Sequence, residues 1–181
     1  MRSKFERKRY AKRSHKRPPP NVKCGEWITM DIVSRSADAV SVKYIDGTGR
    51  KQGGGRHALI GMCETSSTLF MIPVSKKSDV EQAIKDMIAH IEIEMRKSCD
   101  FDGGKPKVLK ITSDRDANIT SIDAVTHFLE ERIEQKLTAT HAKNQTPKLD
   151  AKIRRLLTSA TSLLEDAGLN IKFWEHALRF A

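Results

Sequence analysis

The sequence predicts an α/β fold in which a mixed sheet carries helices on both faces and a basic arm precedes the folded domain. Three strand patterns come first along the chain, and strand and helix patterns alternate after them, in the order βββαβαβαα. Leading strands followed by such alternation are typical of a mixed sheet covered by helices on both sides. With 181 residues and 38% hydrophobic content, the chain has material for one core.

The first three strands are short apolar runs bounded by turn residues. Residues 26–33 read as a buried strand, and residues 58–63 and 68–74 read as a β-hairpin across the polar turn at 64–67. Residues 38–56 are polar and glycine-rich, which predicts a flexible hairpin or insertion. No helix with a Lys-Ser/Thr start follows its three consecutive glycines, so a phosphate-binding loop is not indicated.

A long helix and a fourth strand follow the hairpin. Ser78 and Asp79 predict the helix N-terminus, and a Gly-Gly pair with Pro106 ends the helix before the strand at 108–112. The apolar positions recur with the helical period and are Val80, Ala83, Ile84, Met87, Ile88, Ile91 and Met95.

The last strand and the last three helices complete the predicted order of elements. A short helix after Ser121 has apolar positions Ile122, Val125, Phe128 and Leu129. Residues 137–141 predict the fifth strand, a helix at 148–167 ends at Gly168, and a last amphipathic helix spans 171–180. This is the order of the ribonuclease-H-like fold, whose five-stranded sheet places strands one and four side by side. The predicted domain spans residues 21–181, after an arm at 1–20.

Three aspartates are the candidate catalytic and metal-binding residues: Asp31, Asp114 and Asp150. Asp31 lies in the first strand, Asp114 ends the fourth, and Asp150 opens a helix after 35 intervening residues. If strands one and four are neighbours in the sheet, the carboxylates of Asp31 and Asp114 converge. Carboxylate oxygens suit a pair of Mg²⁺ ions held roughly 3.5–4 Å apart for phosphoryl transfer. The chain holds 23 acidic residues, so three acids with this spacing also occur by chance.

The net charge of +10 is concentrated in the arm. Residues 1–17 carry nine basic residues and one acidic residue, whereas residues 18–181 carry 24 basic and 22 acidic residues. Such a segment is typical of phosphate-backbone binding, with a nuclear localisation signal or a solvated tail as alternatives. The predicted nucleic-acid-binding residues of the arm are Arg2, Lys4, Arg7, Lys8, Arg9, Lys12, Arg13, Lys16 and Arg17.

Two other classes of protein are not indicated. No apolar run of 18 residues is present, so no membrane span is predicted. Cys24, Cys63 and Cys99 are isolated along the sequence, which indicates neither a zinc site nor a disulfide framework and favours reduced thiols in an intracellular protein.

Three segments carry a family resemblance. Trp27-Ile-Thr-Met-Asp31-Ile, Ile111-Thr-Ser-Asp114-Arg and residues 156–181, with Lys172-Phe-Trp-Glu-His, resemble the integrase catalytic core of copia-type long-terminal-repeat retrotransposons, especially those of budding yeasts. The resemblance runs from about residue 12 to 181 and puts Asp150 where the family has its catalytic glutamate. It implies insertion of cDNA ends into target DNA, with Mg²⁺ or Mn²⁺ held by the three aspartates.

The sequence also departs from that family. Arg115-Asp116-Ala117 stands where Gly and Glu follow the second aspartate, and Thr146-Pro147 stands where the family has a flexible Asn-Gly-type loop. Asp150 is one methylene shorter than glutamate, so its carboxylate reaches about 1.3–1.5 Å less far from the backbone. Catalytic constellations tolerate only about 0.5 Å of misplacement.

Competing hypotheses follow. One is an active integrase core, and another is an integrase-derived nucleic-acid-binding protein with weak or lost catalysis. Under the second hypothesis, the chain could serve as a structural subunit of a ribonucleoprotein particle. The initiator-like Met1 favours this second hypothesis, in which the chain is a short whole protein. A third is a regulatory module that binds only protein. DNA is the expected partner by resemblance, with RNA, protein partners or a homo-oligomer as alternatives, and a nuclear location is expected. On the Asp150 helix, the predicted phosphate-binding residues are Lys148, Lys152, Arg154 and Arg155.

Overall fold

The computed structural model describes residues 21–34, 44–45, 51–52, 57–98, 106–138 and 146–181. β1 (Trp27–Ser34) is followed by two short strands, β2 (Tyr44–Ile45) and β3 (Lys51–Gln52), which form an antiparallel ribbon of their own. The ribbon lies within the polar segment that the sequence predicts as a hairpin or insertion.

Five strands form the main sheet, with β1 at its centre. On one side β1 pairs antiparallel with β4 (His57–Cys63), which pairs antiparallel with β5 (Leu69–Val74). On the other side β1 pairs parallel with β6 (Lys110–Ser113), which pairs parallel with β7 (Glu134–Leu137). The strand order is therefore β5-β4-β1-β6-β7, and the predicted ribonuclease-H-like mixed sheet is confirmed.

In the described part of the chain, four α-helices cover the sheet, two on each face. On one face, α1 (Val80–Ser98) and α2 (Ile122–Glu130) enclose a buried cluster that includes Ile28 and Met30 of β1. On the other, α3 (Pro147–Asp166) and α4 (Trp174–Phe180) pack on β4 residues. Successive strand side chains point to opposite faces, so β1, β4 and β5 contribute side chains to both clusters. Fully burying a large side chain contributes roughly 1.5–3 kcal/mol.

The helical period of α1 is confirmed, since all seven of its predicted apolar positions are buried. Its start differs from the prediction: Ser78 and Asp79 lie inside a 3-10 turn, Lys77–Asp79, that leads into α1. In α2, the Ser121 hydroxyl caps the helix by accepting a hydrogen bond from the Ala124 N–H.

The bounds of one predicted strand were wrong, and the predicted short helix is confirmed as α2. The fifth strand is Glu134–Leu137 instead of residues 137–141, because an edge strand with exposed polar side chains lacks an apolar run. Residue 141 lies outside the described residues. On α2, Ile122 and Leu129 are exposed at 84% and 72%, since only one narrow side of this helix, with Ala124 and Phe128, meets the core.

Both ends of α3 follow from local chemistry. Pro147 stands at the first helical position, where its missing N–H costs no helical hydrogen bond. At the other end, Gly168 adopts φ +62°, and Leu169 N–H donates to the Leu164 carbonyl over 2.9 Å. Gly168 N–H donates to the Glu165 carbonyl over 3.0 Å, which completes a Schellman motif. The predicted stop at Gly168 is confirmed.

Candidate acidic site

The register of the parallel strands brings the first two aspartates together. Met30 of β1 pairs with Ser113 of β6, so Asp31 and Asp114 occupy the next adjacent positions. Asp31 lies in the middle of β1, which continues to Ser34, while Asp114 directly follows the last residue of β6. The two residues therefore lie side by side where β6 ends. Their catalytic and metal-binding roles stay predictions.

Asp150 lies in the first turn of α3, on the sheet face that also carries Asp31. Leu149 and Ile153 anchor this turn in the cluster formed with β4. The Thr146 hydroxyl donates to Asp150 Oδ1 over 3.3 Å. The position of Asp150 thus follows from the packing of its apolar neighbours.

The electrostatics of Asp31 show that the acids share one region. Burial is the main cause that raises the pKa of Asp31, to about 6. The negative charges of Asp114, Asp150 and Asp116 raise it further, while the Ile32 N–H, which donates to Asp31 Oδ1 over 2.7 Å, lowers it. Like charges disfavour ionisation when they lie near one another.

Asp116 is a fourth acid that the sequence reasoning treated only as a departure from a pattern. Its N–H donates to Asp114 Oδ1 over 3.0 Å, and its own Oδ1 accepts from the Asn118 N–H over 2.8 Å. A carboxylate that accepts backbone N–H groups of the following residues is an Asx-type turn. This turn sets the direction of the Asp114 carboxylate, and its signal is the Asp-x-Asp-x-Asn spacing.

The donor set has the right chemistry for a divalent cation, because hard carboxylate oxygens are the ligands of Mg²⁺. Among the residues that the structure describes, no three acidic, histidine or cysteine side chains are placed to hold a metal ion. One oxygen on each of Asp31, Asp114 and Asp150 already accepts a protein hydrogen bond. The second oxygen of each carboxylate accepts none of these three hydrogen bonds and is the one that a cation would take.

The raised pKa makes a prediction about stability and pH. Between about pH 4 and 6, folded Asp31 holds a proton that the unfolded chain has released, so the free energy of unfolding falls as pH rises through this window. Asp31→Asn should flatten that slope and stabilise the protein at pH 7 by about 1–3 kcal/mol. Urea unfolding at several pH values measures both quantities. Asp166→Asn, an exposed residue on α3, is the control, and an unchanged slope for Asp31→Asn would contradict the prediction.

The four basic residues of α3 do not form one cluster. At 100° per residue, Lys148, Lys152 and Arg155 share one side of the helix, whereas Arg154 lies one turn after Asp150 on the other side. Lys148, Arg154 and Arg155 are exposed and Lys152 is half-buried. The basic residues of the arm lie outside the described residues.

Glu64 is a second residue that the sequence did not single out. It follows β4, and its side chain accepts a hydrogen bond from the Thr29 hydroxyl on β1. Its backbone carbonyl accepts from Lys148 Nζ over 3.1 Å. One turn residue therefore joins the strand of Asp31 to the helix of Asp150. The contact depends on strand register, which composition and spacing do not reveal.

Comparison with known proteins supports the fold assignment. No family model matches the sequence. A chain in the cryo-EM structure of the simian T-cell lymphotropic virus intasome in complex with PP2A regulatory subunit B56 gamma is similar, with a TM-score of 0.57 and 10% identity. The similarity covers 85% of this chain and 47% of that one, so this chain spans about half the length of its match.

A likeness at this identity concerns the fold alone. Together with the strand order, it supports a ribonuclease-H-like fold for this chain. No helix within the described ranges is both long and apolar enough to cross a membrane.

Proposed function

We propose that this chain is a nucleic-acid-binding protein derived from a copia-type retrotransposon integrase, with weak or no strand-transfer activity. The observation that carries the proposal is the proximity of Asp31, Asp114 and Asp150, at the start of a helix that carries basic residues along its other side. This arrangement on a ribonuclease-H-like fold supports descent from a polynucleotidyl transferase. The resemblance in sequence supports DNA as the partner and the nucleus as the location.

Weak catalysis is supported by the local geometry of the third acid. Asp150 reaches about 1.3–1.5 Å less far than a glutamate would. Pro147 stiffens the entry to α3, and the Thr146 hydroxyl holds an oxygen of Asp150. Mg²⁺ or Mn²⁺ is therefore proposed to bind weakly, at a site that needs Asp150 to move.

Binding without efficient chemistry is supported by the distribution of charge. Lys148, Lys152 and Arg155 make a basic stripe, hereafter the α3 stripe, along one side of the helix. Basic side chains in such a row contact successive phosphates and add affinity without reading bases. In the proposal, the arm supplies most of the affinity and the α3 stripe orients the nucleic acid against the domain.

The α3 stripe can be tested with a charge-matched control. Replacing Lys148, Lys152 and Arg155 by alanine should weaken duplex DNA binding and reduce the log–log salt slope by about 2–3 units, near 0.9 per lost phosphate contact. The control replaces Lys85, Arg96 and Lys97 on α1, which covers the opposite face of the sheet. Fluorescence anisotropy at several salt concentrations measures both slopes. Equal effects of the two triple variants would remove the α3 stripe from the proposal.

A second candidate, an active two-metal integrase core, is favoured by one observation. Asp31 and Asp114 occupy adjacent register positions, as a shared metal site requires. In that case Asp31, Asp114 and Asp150 would hold Mg²⁺ or Mn²⁺ for phosphoryl transfer. Metal-dependent strand transfer distinguishes the two candidates.

A further inference from the structure

Two cysteines that are far apart in sequence lie side by side in the fold. Cys24 precedes Cys63 by 39 positions, yet their sulfur atoms are 3.8 Å apart, and neither forms a disulfide. Register explains the proximity: Ile28 near the start of β1 pairs with Cys63 at the end of β4. Gly25, at φ +85°, passes so close to Met95 that a Cβ there would overlap the Met95 side chain. The glycine lets the chain place Cys24 against Cys63.

The surroundings of Cys63 stabilise a negatively charged sulfur. The Gly25 N–H donates to Cys63 Sγ over 3.2 Å and the Ser66 N–H donates over 3.4 Å. Burial by itself raises the pKa of the Cys63 thiol. Hydrogen bonds from the Ser66 side chain and from the backbone of Ser66, Gly25 and Thr65 outweigh burial and lower it. Thiolates, and not thiols, are the nucleophiles in cysteine chemistry.

The two sulfurs differ in their access to solvent, which assigns their order of reaction. Cys63 has no exposed surface, whereas Cys24 is half-buried. A small oxidant from solvent therefore reaches Cys24 first. The neighbouring sulfur is that of Cys63, whose thiolate is stabilised. A solvent-accessible thiol with a neighbouring resolving thiol is the arrangement of reversible cysteine oxidation, and Cys24 is partly accessible.

We propose that Cys24 and Cys63 form an oxidation site at which a peroxide produces an intramolecular disulfide. The Cys24 thiol loses its proton, and the resulting thiolate attacks one peroxide oxygen; the O–O bond breaks, and the leaving hydroxide takes up the proton. Hydrogen peroxide thus yields a sulfenic acid on Cys24 and one water. The Cys63 thiolate then attacks the Cys24 sulfur, and the departing hydroxyl takes a proton and leaves as a second water. Two thiols lose two electrons and the peroxide gains them. Because a disulfide bond is about 2.05 Å long, the sulfurs must approach by about 1.8 Å.

The site is connected to the candidate acidic site through one residue. Cys63 directly precedes Glu64, which accepts hydrogen bonds from Thr29 and from Lys148. A covalent bond between Cys24 and Cys63 therefore ties the start of β1 to the turn that contacts α3. The inference does not depend on the proposed nucleic-acid function, because it rests on the sulfur atoms and their donors.

The full chain, reduced and freed of reductant, is treated with a small excess of hydrogen peroxide and then denatured for thiol titration. The chain has three cysteines, so three titratable thiols should fall to one, with monomers retained on a non-reducing gel. Peptide mass spectrometry should find Cys24 joined to Cys63, and dithiothreitol should restore three thiols. In Cys99→Ser the count should fall from two to none. In Cys24→Ser no intramolecular disulfide should form, and circular dichroism checks its fold.

Three results would overturn the inference. One is a peroxide-treated chain that keeps all three thiols. Another is cross-linking between chains, or through Cys99, in place of the Cys24–Cys63 bond. The third is oxidation of Cys24 to sulfinic acid without disulfide formation, which would show that Cys63 does not reach it.

Discussion

Deleting residues 1–17 is expected to remove most of the affinity for nucleic acid and to flatten its salt dependence by several log–log units. The segment carries nine basic residues and one acidic residue, whereas the remaining 164 residues are close to neutral. Each phosphate neutralised by a basic side chain releases condensed counterions, at a slope of about −0.9 per contact on duplex DNA. Six or more such contacts correspond to a loss of about a thousandfold or more between roughly 50 and 200 mM salt.

The arm experiment compares three proteins by salt titration on duplex DNA and on structured RNA. They are the full chain, the chain without residues 1–17, and a chain with the same seventeen residues in scrambled order. Because phosphate contacts position a protein without reading bases, the scrambled arm should retain both slope and affinity. Equal slopes for the full and truncated chains would show that the arm serves targeting or protein docking. A strong preference for structured RNA would favour a subunit of an RNA-containing particle.

Asp150→Glu is expected to tighten Mn²⁺ binding by about tenfold or more. The unmodified chain should bind Mg²⁺ and Mn²⁺ weakly, because the third carboxylate stops about 1.3–1.5 Å short of a glutamate. The added methylene should let the side chain reach towards Asp31 and Asp114, whose strands are adjacent. Two or three carboxylates that converge on one ion supply the hard oxygens that the cation requires.

Isothermal titration with Mn²⁺ measures the effect, and Asp166→Glu at the other end of α3 is the matched control. This variant makes the same change in length on an exposed residue away from the acids. An Asp150→Glu protein with unchanged Mn²⁺ affinity would tell against a preserved metal-site geometry. It would leave a surface that binds nucleic acid without a metal centre.

Periodicity made most of the fold predictable. In α1, apolar residues at helical spacing identify a face that the structure buries completely. In β1 and β4, apolar runs identify strands that are covered on both sides of the sheet. Where only a narrow side of a helix or strand contacts the core, the spacing of apolar residues does not predict which of them are buried. The exposed Ile122 and the polar edge strand Glu134–Leu137 are such cases.

The candidate site was predictable only in part. Asp31 and Asp114 follow from the strand order, because a parallel pair of strands places equivalent positions side by side. Glu64 and the Cys24–Cys63 pair depend instead on the antiparallel register of β1 and β4. A one-residue slip in that register would change which residues at the ends of β1 and β4 lie next to one another. Sequence spacing does not fix that register.

The most direct test of whether this chain is a binding protein rather than an integrase is metal-dependent strand transfer on the DNA that it binds. The full chain, Asp31→Asn and Asp150→Glu are assayed with Mg²⁺ and with Mn²⁺, at concentrations that saturate a short duplex. The predicted result is full DNA binding by all three proteins, with strand transfer by the unmodified chain no higher than that of Asp31→Asn. Efficient transfer by the unmodified chain that Asp31→Asn abolishes would contradict it and would establish an active integrase core.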